Sequence, residues 1–206
     1  MEKSGTMLDI REVLINSTEI QDKVRKLGER ITEDYADESL LLVGILNGSV
    51  VVLSDLMRQI ELSCEIGFMD VSSYGAGTTS SGDVRILKDL DRDVAGRNVL
   101  IVEDIVDTGL TLSYLLGLLR SRGTNTLEIC TLLSKPSRRE VDLDIKYLGF
   151  EVPDEFVVGY GIDYAGSYRN LPEICVLKSE VFGMSNGLTE TEEAPGRSYR
   201  LFADQK

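Results

Sequence analysis

Residues Asn98 to Leu112 read NVLIVEDIVDTGLTL, and the order of residue types is that of a strand, a polar loop and a helix. Val99 to Val102 is an unbroken apolar run, as expected of a strand covered on both faces. Adjacent acids, Glu103 and Asp104, close the run. A short loop then carries Asp107, Thr108, Gly109 and Thr111, and the leucine-rich segment Leu112–Leu119 reads as a helix. Such units build parallel α/β sheets, whose ligands sit in the crevice beyond the carboxyl ends of the strands. Because the loop opens a helix, its free N–H groups and the helix dipole favour an anion.

The residue types narrow the anion. No Lys or Arg lies between Glu103 and Thr111, and GxxxxGK[ST] occurs nowhere in the chain, which excludes a Walker-type triphosphate loop. A phosphate here would be held by amides and by the hydroxyls of Thr108 and Thr111, with Gly109 permitting close backbone approach. That suits a single phosphate monoester. Glu103, Asp104 and Asp107 would repel it unless they serve other groups. Sugar hydroxyls, a hydrated Mg²⁺ or a proton to be moved are the clients such carboxylates suit.

Composition removes whole classes of function. A length of 206 residues fits one well-buried domain better than two. The net charge of −13 repels nucleic acid and acidic membranes in the absence of a local basic patch. Only small basic groups occur, Lys135 with Arg138 and Arg139, and Arg197 with Arg200, so neither partner is expected. There is no histidine, which excludes imidazole acid–base chemistry and leaves Asp, Glu, Lys, Tyr or Cys as a general base. Cys64, Cys130 and Cys175 form no CxxC pair, and the last two lie in apolar runs and read as core. Met1–Asp9 lacks the character of a signal peptide and no apolar run is long enough to span a membrane, so the expected location is cytoplasmic.

Outward from the central motif, Ile20, Val24, Leu27, Ile31 and Tyr35 form a helical stripe over residues 18–36, where Thr18 and Gln21 have capping-box spacing. It is the one clear helix in Met1–Ser39. Leu40–Leu46 reads as a buried strand ending in Asn47-Gly48-Ser49, and Val50–Ile60 as the helix after it, a second strand–loop–helix unit. Cys64–Tyr74 reads as a strand, Gly75–Gly82 as a loop longer than a tight hairpin needs, and Val84–Leu90 as a returning strand. Leu127–Leu133 is another buried strand, followed by Lys135. Ile145–Gly149, Phe156–Tyr160 and Ile174–Leu177 are short strand candidates. Apolar periodicity ends near Gly183, which divides the chain into a domain, residues 1–182, and a tail, residues 183–206, expected to be mobile.

The sequence EDIVDTGLT, Glu103–Thr111, after its hydrophobic strand resembles the phosphoribosyl pyrophosphate motif of type I phosphoribosyltransferases. Its residue choice is similar to the hypoxanthine-guanine branch of that family, above all its bacterial members. The likeness runs from about Leu40 to Leu177 with its elements in the family's order. It implies an α/β fold: a twisted, mainly parallel sheet flanked by helices, with a small hood from N- and C-terminal segments. It also implies a purine salvage transferase. Phosphoribose would move from phosphoribosyl pyrophosphate to N9 of hypoxanthine or guanine, giving IMP or GMP and pyrophosphate, with Mg²⁺ as the metal.

The resemblance assigns roles residue by residue. Asp107 would be the general base near N7 of the purine. Asp107, Thr108, Gly109, Leu110 and Thr111 would bind the ribose 5′-phosphate. Glu103 and Asp104 would face the ribose hydroxyls and Mg²⁺, and Asp163 would hold a second Mg²⁺ or its water. Lys135 would donate to O6, Phe156 would stack on the purine, and Val157 would read the base edge with its backbone. Asn47, Gly48, Ser49 and Arg169 would bind pyrophosphate. In this branch the residue before that glycine is frequently lysine, here replaced by Asn47, and a non-proline cis peptide is common at the position of Leu46–Asn47. Ser73 and Tyr74 begin what resembles a mobile lid. The family's usual state implies a homo-oligomer, dimer or tetramer. Two other readings stay open on the same fold: a non-catalytic regulator that senses nucleotides, and a transferase preferring another base such as xanthine.

Overall fold

The computed structural model describes residues 8–73 and 84–183. Tyr74, the loop Gly75–Gly82 and the tail from residue 184 lie outside the described residues. The main sheet has six strands in the order β4-β3-β2-β5-β6-β7. These are β2 (Leu40–Leu46), β3 (Cys64–Ser73), β4 (Val84–Lys88), β5 (Asn98–Val106), β6 (Thr126–Ser134) and β7 (Tyr147–Glu151). Every neighbouring pair is parallel except β3 with β4. The mainly parallel α/β sheet expected from the sequence is therefore the fold.

The apolar runs of β2 and β5 are continuous because both of their faces are covered. Leu40, Leu42, Leu100 and Val102 enter one core, with helices α1 (Ser17–Asp34) and α2 (Val50–Met57) packed over it. Leu41, Val43, Val99 and Ile101 enter the opposite core, under helix α3 (Leu110–Ser121). Period-two alternation thus divides each strand between two hydrophobic layers. Cys130 lies fully buried in the first core, and burial pushes its thiol up to about 12, which makes it an inert core residue.

A second sheet, order β1-β9-β8, forms the hood from β1 (Ile10–Ile15), β8 (Val157–Val158) and β9 (Ile174–Leu177), all antiparallel. Its alternation fastens it to the domain. Val157, Ile174 and Val176 join the first core, while Val158, Cys175 and Leu177 form a satellite cluster with Tyr168. A last short helix, α4 (Ser179–Gly183), packs Val181 and Phe182 against that cluster. No helix among the described residues is long and apolar enough to cross a membrane.

Several boundaries differ from the sequence reading, and three of them have a clear physical cause. The cap of α1 is Asn16 with Glu19, not Thr18 with Gln21: Glu19 N–H donates to Asn16 Oδ1 at 3.0 Å and Asn16 N–H to Glu19 Oε2 at 2.9 Å. Strand β1 ends at Ile15, so the helix must open at once, and β1 itself is hidden in the sequence because most of its residues are exposed or half-buried. Strand β5 continues past the two acids to Val106, with Glu103 in register with Thr131 and Ile105 with Leu133. The β6 ladder satisfies that backbone, so polar side chains do not end the strand. Strand β8 is only Val157–Val158, because Gly159, Tyr160 and Gly161 all have positive φ, at 103°, 48° and 102°.

Asn16→Ala removes one side of the capping box and is expected to lower unfolding free energy by about 1 kcal/mol. Chemical denaturation reads that loss directly.

Candidate active site

The carboxyl ends of β2, β5 and β6 open into one crevice. At the end of β5, Glu103, Asp107, Thr108, Gly109, Thr111 and Leu112 are among the residues that line a pocket of about 140 Å³ at the N-terminus of α3; Leu110 is not one of them. Gly109 is the N-cap of that helix at φ 85°, and a Cβ there would stand 2.8 Å from Leu143 Cδ1, so the turn requires glycine. The Thr108 hydroxyl accepts from Leu110 N–H at 3.4 Å, and the Thr108 carbonyl accepts from Glu140 N–H at 3.0 Å. Leu110 and Thr111 begin the helix, whose first-turn N–H groups point into the crevice end.

The β2 loop closes directly onto Asp104. A Cβ on Gly48 would lie 1.8 Å from Asp104 Oδ2, so only glycine permits this approach. The Leu46–Asn47 peptide is cis, as the resemblance implied. Asn47 is exposed, whereas Ser49 is fully buried with its hydroxyl donating to the Ile45 carbonyl at 2.7 Å. Ser49 N–H also points to that carbonyl, at 3.4 Å. The turn after β8 meets the same loop: a Cβ on Gly161 would fall 2.2 Å from the Gly48 carbonyl oxygen.

From the end of β6 come Lys135 and a 3₁₀ turn, Pro136–Arg138. Lys135 is 8% exposed, not the solvated surface lysine its sequence position would also allow, and its Nζ lies 3.8 Å from Asp154 Oδ1. Arg138 Nε lies 2.8 Å from Asp107 Oδ1. That oxygen is buried and makes no aligned hydrogen bond. The cation absent from the phosphate loop thus arrives from the turn after β6. Arg139 lies against Gly109 and donates to Ser134 Oγ at 2.7 Å and to the Val106 carbonyl at 3.4 Å.

On the hood side, Phe156 is stacked on Phe182 (centroids 5.0 Å, interplanar angle 18°) and meets Tyr164 edge-on at 5.2 Å. The Phe156 carbonyl accepts from Leu177 N–H at 3.0 Å, so strand alternation turns the N–H and C=O of Val157 away from β9, towards the free edge of the sheet. Arg169 donates to the Gly161 carbonyl at 2.6 Å and pairs with Asp163 Oδ1 at 2.7 Å, while Asp163 Oδ2 accepts from Gly166 N–H at 2.8 Å. Ser73 is the last residue of β3, in register with Val84. Tyr74 lies outside the described residues.

Electrostatics concentrate on the two acids in β5. Burial holds the Glu103 carboxyl well above the ordinary glutamate value, and the charge of Asp104 adds to this. Burial also raises Asp104, against N–H groups of Ile105 and its own backbone and the charge of Arg169, while Asp163 reinforces the rise. Glu103, Asp104 and Asp163 offer only oxygen donors, the hard set that suits Mg²⁺. Burial is the main cause of both rises, and among the described residues no three such side chains gather closely enough to form a metal cage by themselves.

One further residue pair escaped the sequence reading. Tyr160 donates to Asp55 Oδ2 at 2.5 Å, across 105 positions of sequence, and Gln21 and Arg58 also bond to Asp55. Burial pushes Asp55 up, but these bonds outweigh it and leave the carboxyl below its ordinary value. The bond ties α2, behind the Gly48 loop, to the segment that carries Gly161 and Asp163. Nothing local to either residue signals it.

The phosphoribosyl transferase domain model matches residues 14–165. The hypoxanthine-guanine phosphoribosyltransferase of Bacillus subtilis (strain 168) is 54% identical over 174 residues, covering 84% of this chain and 97% of that protein. The Staphylococcus epidermidis protein of the same name (strain ATCC 12228) is 52% identical over the same coverage. A crystal structure of a hypoxanthine phosphoribosyltransferase from Staphylococcus aureus superposes with a TM-score of 0.85 at 49% identity, covering 88% of this chain and 99% of that one.

A carboxyl raised in the folded state destabilises the fold when it is ionised. Its favourable contribution is complete below the unfolded value and is lost as pH rises through the folded one. In chelator, Glu103→Gln is therefore expected to raise the thermal midpoint at neutral pH by roughly a few degrees. The gain should fade as pH drops to about 4, where Glu103 is protonated in both states. Equal midpoints for the two proteins at neutral pH would show that Glu103 is solvated.

Proposed function

The chain belongs to the phosphoribosyltransferase family, and on that premise we infer that its reaction is hypoxanthine-guanine phosphoribosyl transfer, a step of purine salvage. Phosphoribose passes from phosphoribosyl pyrophosphate to N9 of the base, and IMP or GMP and pyrophosphate leave. The observation that carries this reading is the side-by-side placement of Asp107 and Lys135 on neighbouring strand ends. A phosphate cradle then opens beside a lysine shielded from water.

The pocket at Asp107–Thr111 takes the 5′-phosphate on helix N–H groups and the Thr108 and Thr111 hydroxyls. Glu103 and Asp104 then face the ribose hydroxyls. Their negative charge favours the positive charge that develops at C1′ as its bond to pyrophosphate breaks. N9 of the purine forms the new bond to C1′, and Asp107 accepts the proton released from N7. Lys135 donates to O6, which selects 6-oxopurines over adenine, whose N6 is itself a donor.

Phe156 presents to the base the face that Phe182 leaves free, and Val157 reads the base edge from the open side of β8. Asn47, Gly48 and Ser49 form the loop that receives pyrophosphate at the start of α2; Asn47 and Gly48 offer their backbone N–H groups, while the hydroxyl and N–H of Ser49 both point to the Ile45 carbonyl and hold the loop in shape. Arg169 meets pyrophosphate from beside Asp163. Ser73 and Tyr74 begin the lid that excludes water from the reacting centre. Glu103, Asp104 and Asp163 would hold Mg²⁺, which supplies charge neutralisation to a substrate bearing a phosphate and a pyrophosphate.

Supplying hypoxanthine, guanine and xanthine in turn, each with phosphoribosyl pyrophosphate and Mg²⁺, tests the reaction and ranks the bases. Turnover of none of them would favour a nucleotide-sensing regulator. Asp107→Asn is expected to fold normally and lose about 10²-fold or more in turnover, the usual scale for a general base. Lys135→Met should weaken use of hypoxanthine and guanine by about 1–3 kcal/mol, the cost of a buried O6 without its donor, and leave phosphoribosyl pyrophosphate KM nearly unchanged. Chelation of Mg²⁺ should abolish activity and weaken phosphoribosyl pyrophosphate binding without moving the melting midpoint of the empty protein. Tight binding of that substrate in excess chelator would refute the metal's role.

A further inference from the structure

Four side chains of alternating charge run through the base side of the crevice. Asp107 Oδ1 meets Arg138 Nε at 2.8 Å, Arg138 Nη1 meets Asp154 Oδ1 at 3.5 Å, and the same Asp154 oxygen lies 3.8 Å from Lys135 Nζ. The two ends of the chain are the groups that the reading above sets against N7 and O6 of the purine. The two middle members, Arg138 and Asp154, have no part in that reading.

The backbone fixes all four. Lys135 N–H donates to the Val106 carbonyl at 2.9 Å, one residue before Asp107, and Arg138 N–H donates to the Lys135 carbonyl at 3.1 Å. Asp154 lies in the link between β7 and β8, two positions before Phe156. The side chains of Arg138 and Asp154 are about half exposed, at 47% and 52%. Pairs so wetted add little to stability. Their partners are different. Lys135 has a side chain only 10% exposed, and among the described residues Asp154 is its one ion-pair partner. A cation so shielded needs a counter-charge to hold its place. Asp107 Oδ1 is buried, and among the described residues Arg138 is the one cation in ion-pair reach of it.

We propose that Arg138 and Asp154 are positioning residues for base recognition: through their charges they hold Asp107 and Lys135 at the spacing of N7 and O6 before a purine enters. The proposal rests on the reading in which Asp107 and Lys135 address those two atoms. Without Arg138, Asp107 loses the one cation in ion-pair reach of it among the described residues and turns towards water. Without Asp154, the Lys135 ammonium moves off the base edge to reach solvent. Arg138 and Asp154 do not themselves line the phosphate pocket, and neither belongs to the Gly48 loop, so the sugar substrate loses less than the base.

The test is a pair of double-mutant cycles in the full-length chain. Arg138→Met is made alone and with Asp107→Asn; Asp154→Asn is made alone and with Lys135→Met. Steady-state KM is measured for hypoxanthine and for phosphoribosyl pyrophosphate, and the affinity for IMP is measured by calorimetry, which needs no turnover. Each single variant is expected to weaken hypoxanthine and IMP about tenfold, and to add less than about twofold in the partner's mutant background. The KM for phosphoribosyl pyrophosphate and the melting midpoint should stay nearly constant, and Arg138→Lys and Asp154→Glu should recover part of the loss. An equal fold-loss in both backgrounds overturns the proposal, as does an equal loss for both substrates. If Asp107→Asn and Lys135→Met themselves leave base affinity and turnover intact, the N7 and O6 assignments have failed. If those two behave as assigned and the cycles are additive, only the positioning role has failed.

Discussion

Glu103 and Asp104 stand where β5 is still hydrogen-bonded to β6, so neither side chain can leave the crevice without breaking the ladder. Both carboxyls are held above their ordinary values by burial; the charge of Asp104 adds to the rise at Glu103, and that of Asp163 to the rise at Asp104. The rest of the crevice is arranged around that unfavourable placement. Gly48 carries no side chain because Asp104 already fills the space, Arg169 offers distant compensation, and the helix after Gly109 aims its N–H groups at the same region. A fold stores such repulsion where function needs it, and a cationic centre in the substrate or its metal releases it.

The central architecture was legible because parallel strands buried on both faces leave long apolar runs, and Leu40–Leu46 and Val99–Val102 are such runs. The phosphate loop was legible because an anion cradle needs glycine, hydroxyls and a following helix within a few residues. The hood was harder. Only its resemblance to known relatives pointed to it, since β1 carries exposed charges such as Arg11 and Glu12 and offers no clear alternation. Polar residues also misled: Glu103 and Asp104 look like the end of a strand, yet pairing with β6 continues to Val106.

Contacts between distant segments could not be read at all. Arg138 looked like one member of a small surface patch, and its place on Asp107 depends on how β6 lies beside β5. The bond from Tyr160 to Asp55 depends on the packing of the hood-side segment over α2. In both cases the residue type is ordinary and the partner is supplied by tertiary structure. Sequence reading finds groups whose neighbours along the chain share their task, and it misses groups whose neighbours are recruited by folding.

The contact of Gly161 with the Gly48 carbonyl has a thermodynamic consequence. The segment proposed to face the base rests on the loop proposed to face pyrophosphate, with no side chain between them to absorb a shift. Tyr160 and Asp55 close the same connection from behind. A ligand that orders one segment therefore removes part of the entropy the other must lose. The coupling is reciprocal: whatever affinity the sugar substrate lends to the base, the base must lend in equal measure to the sugar. On that reading, cooperativity between two substrates is built from the absence of one side chain, that of Gly161.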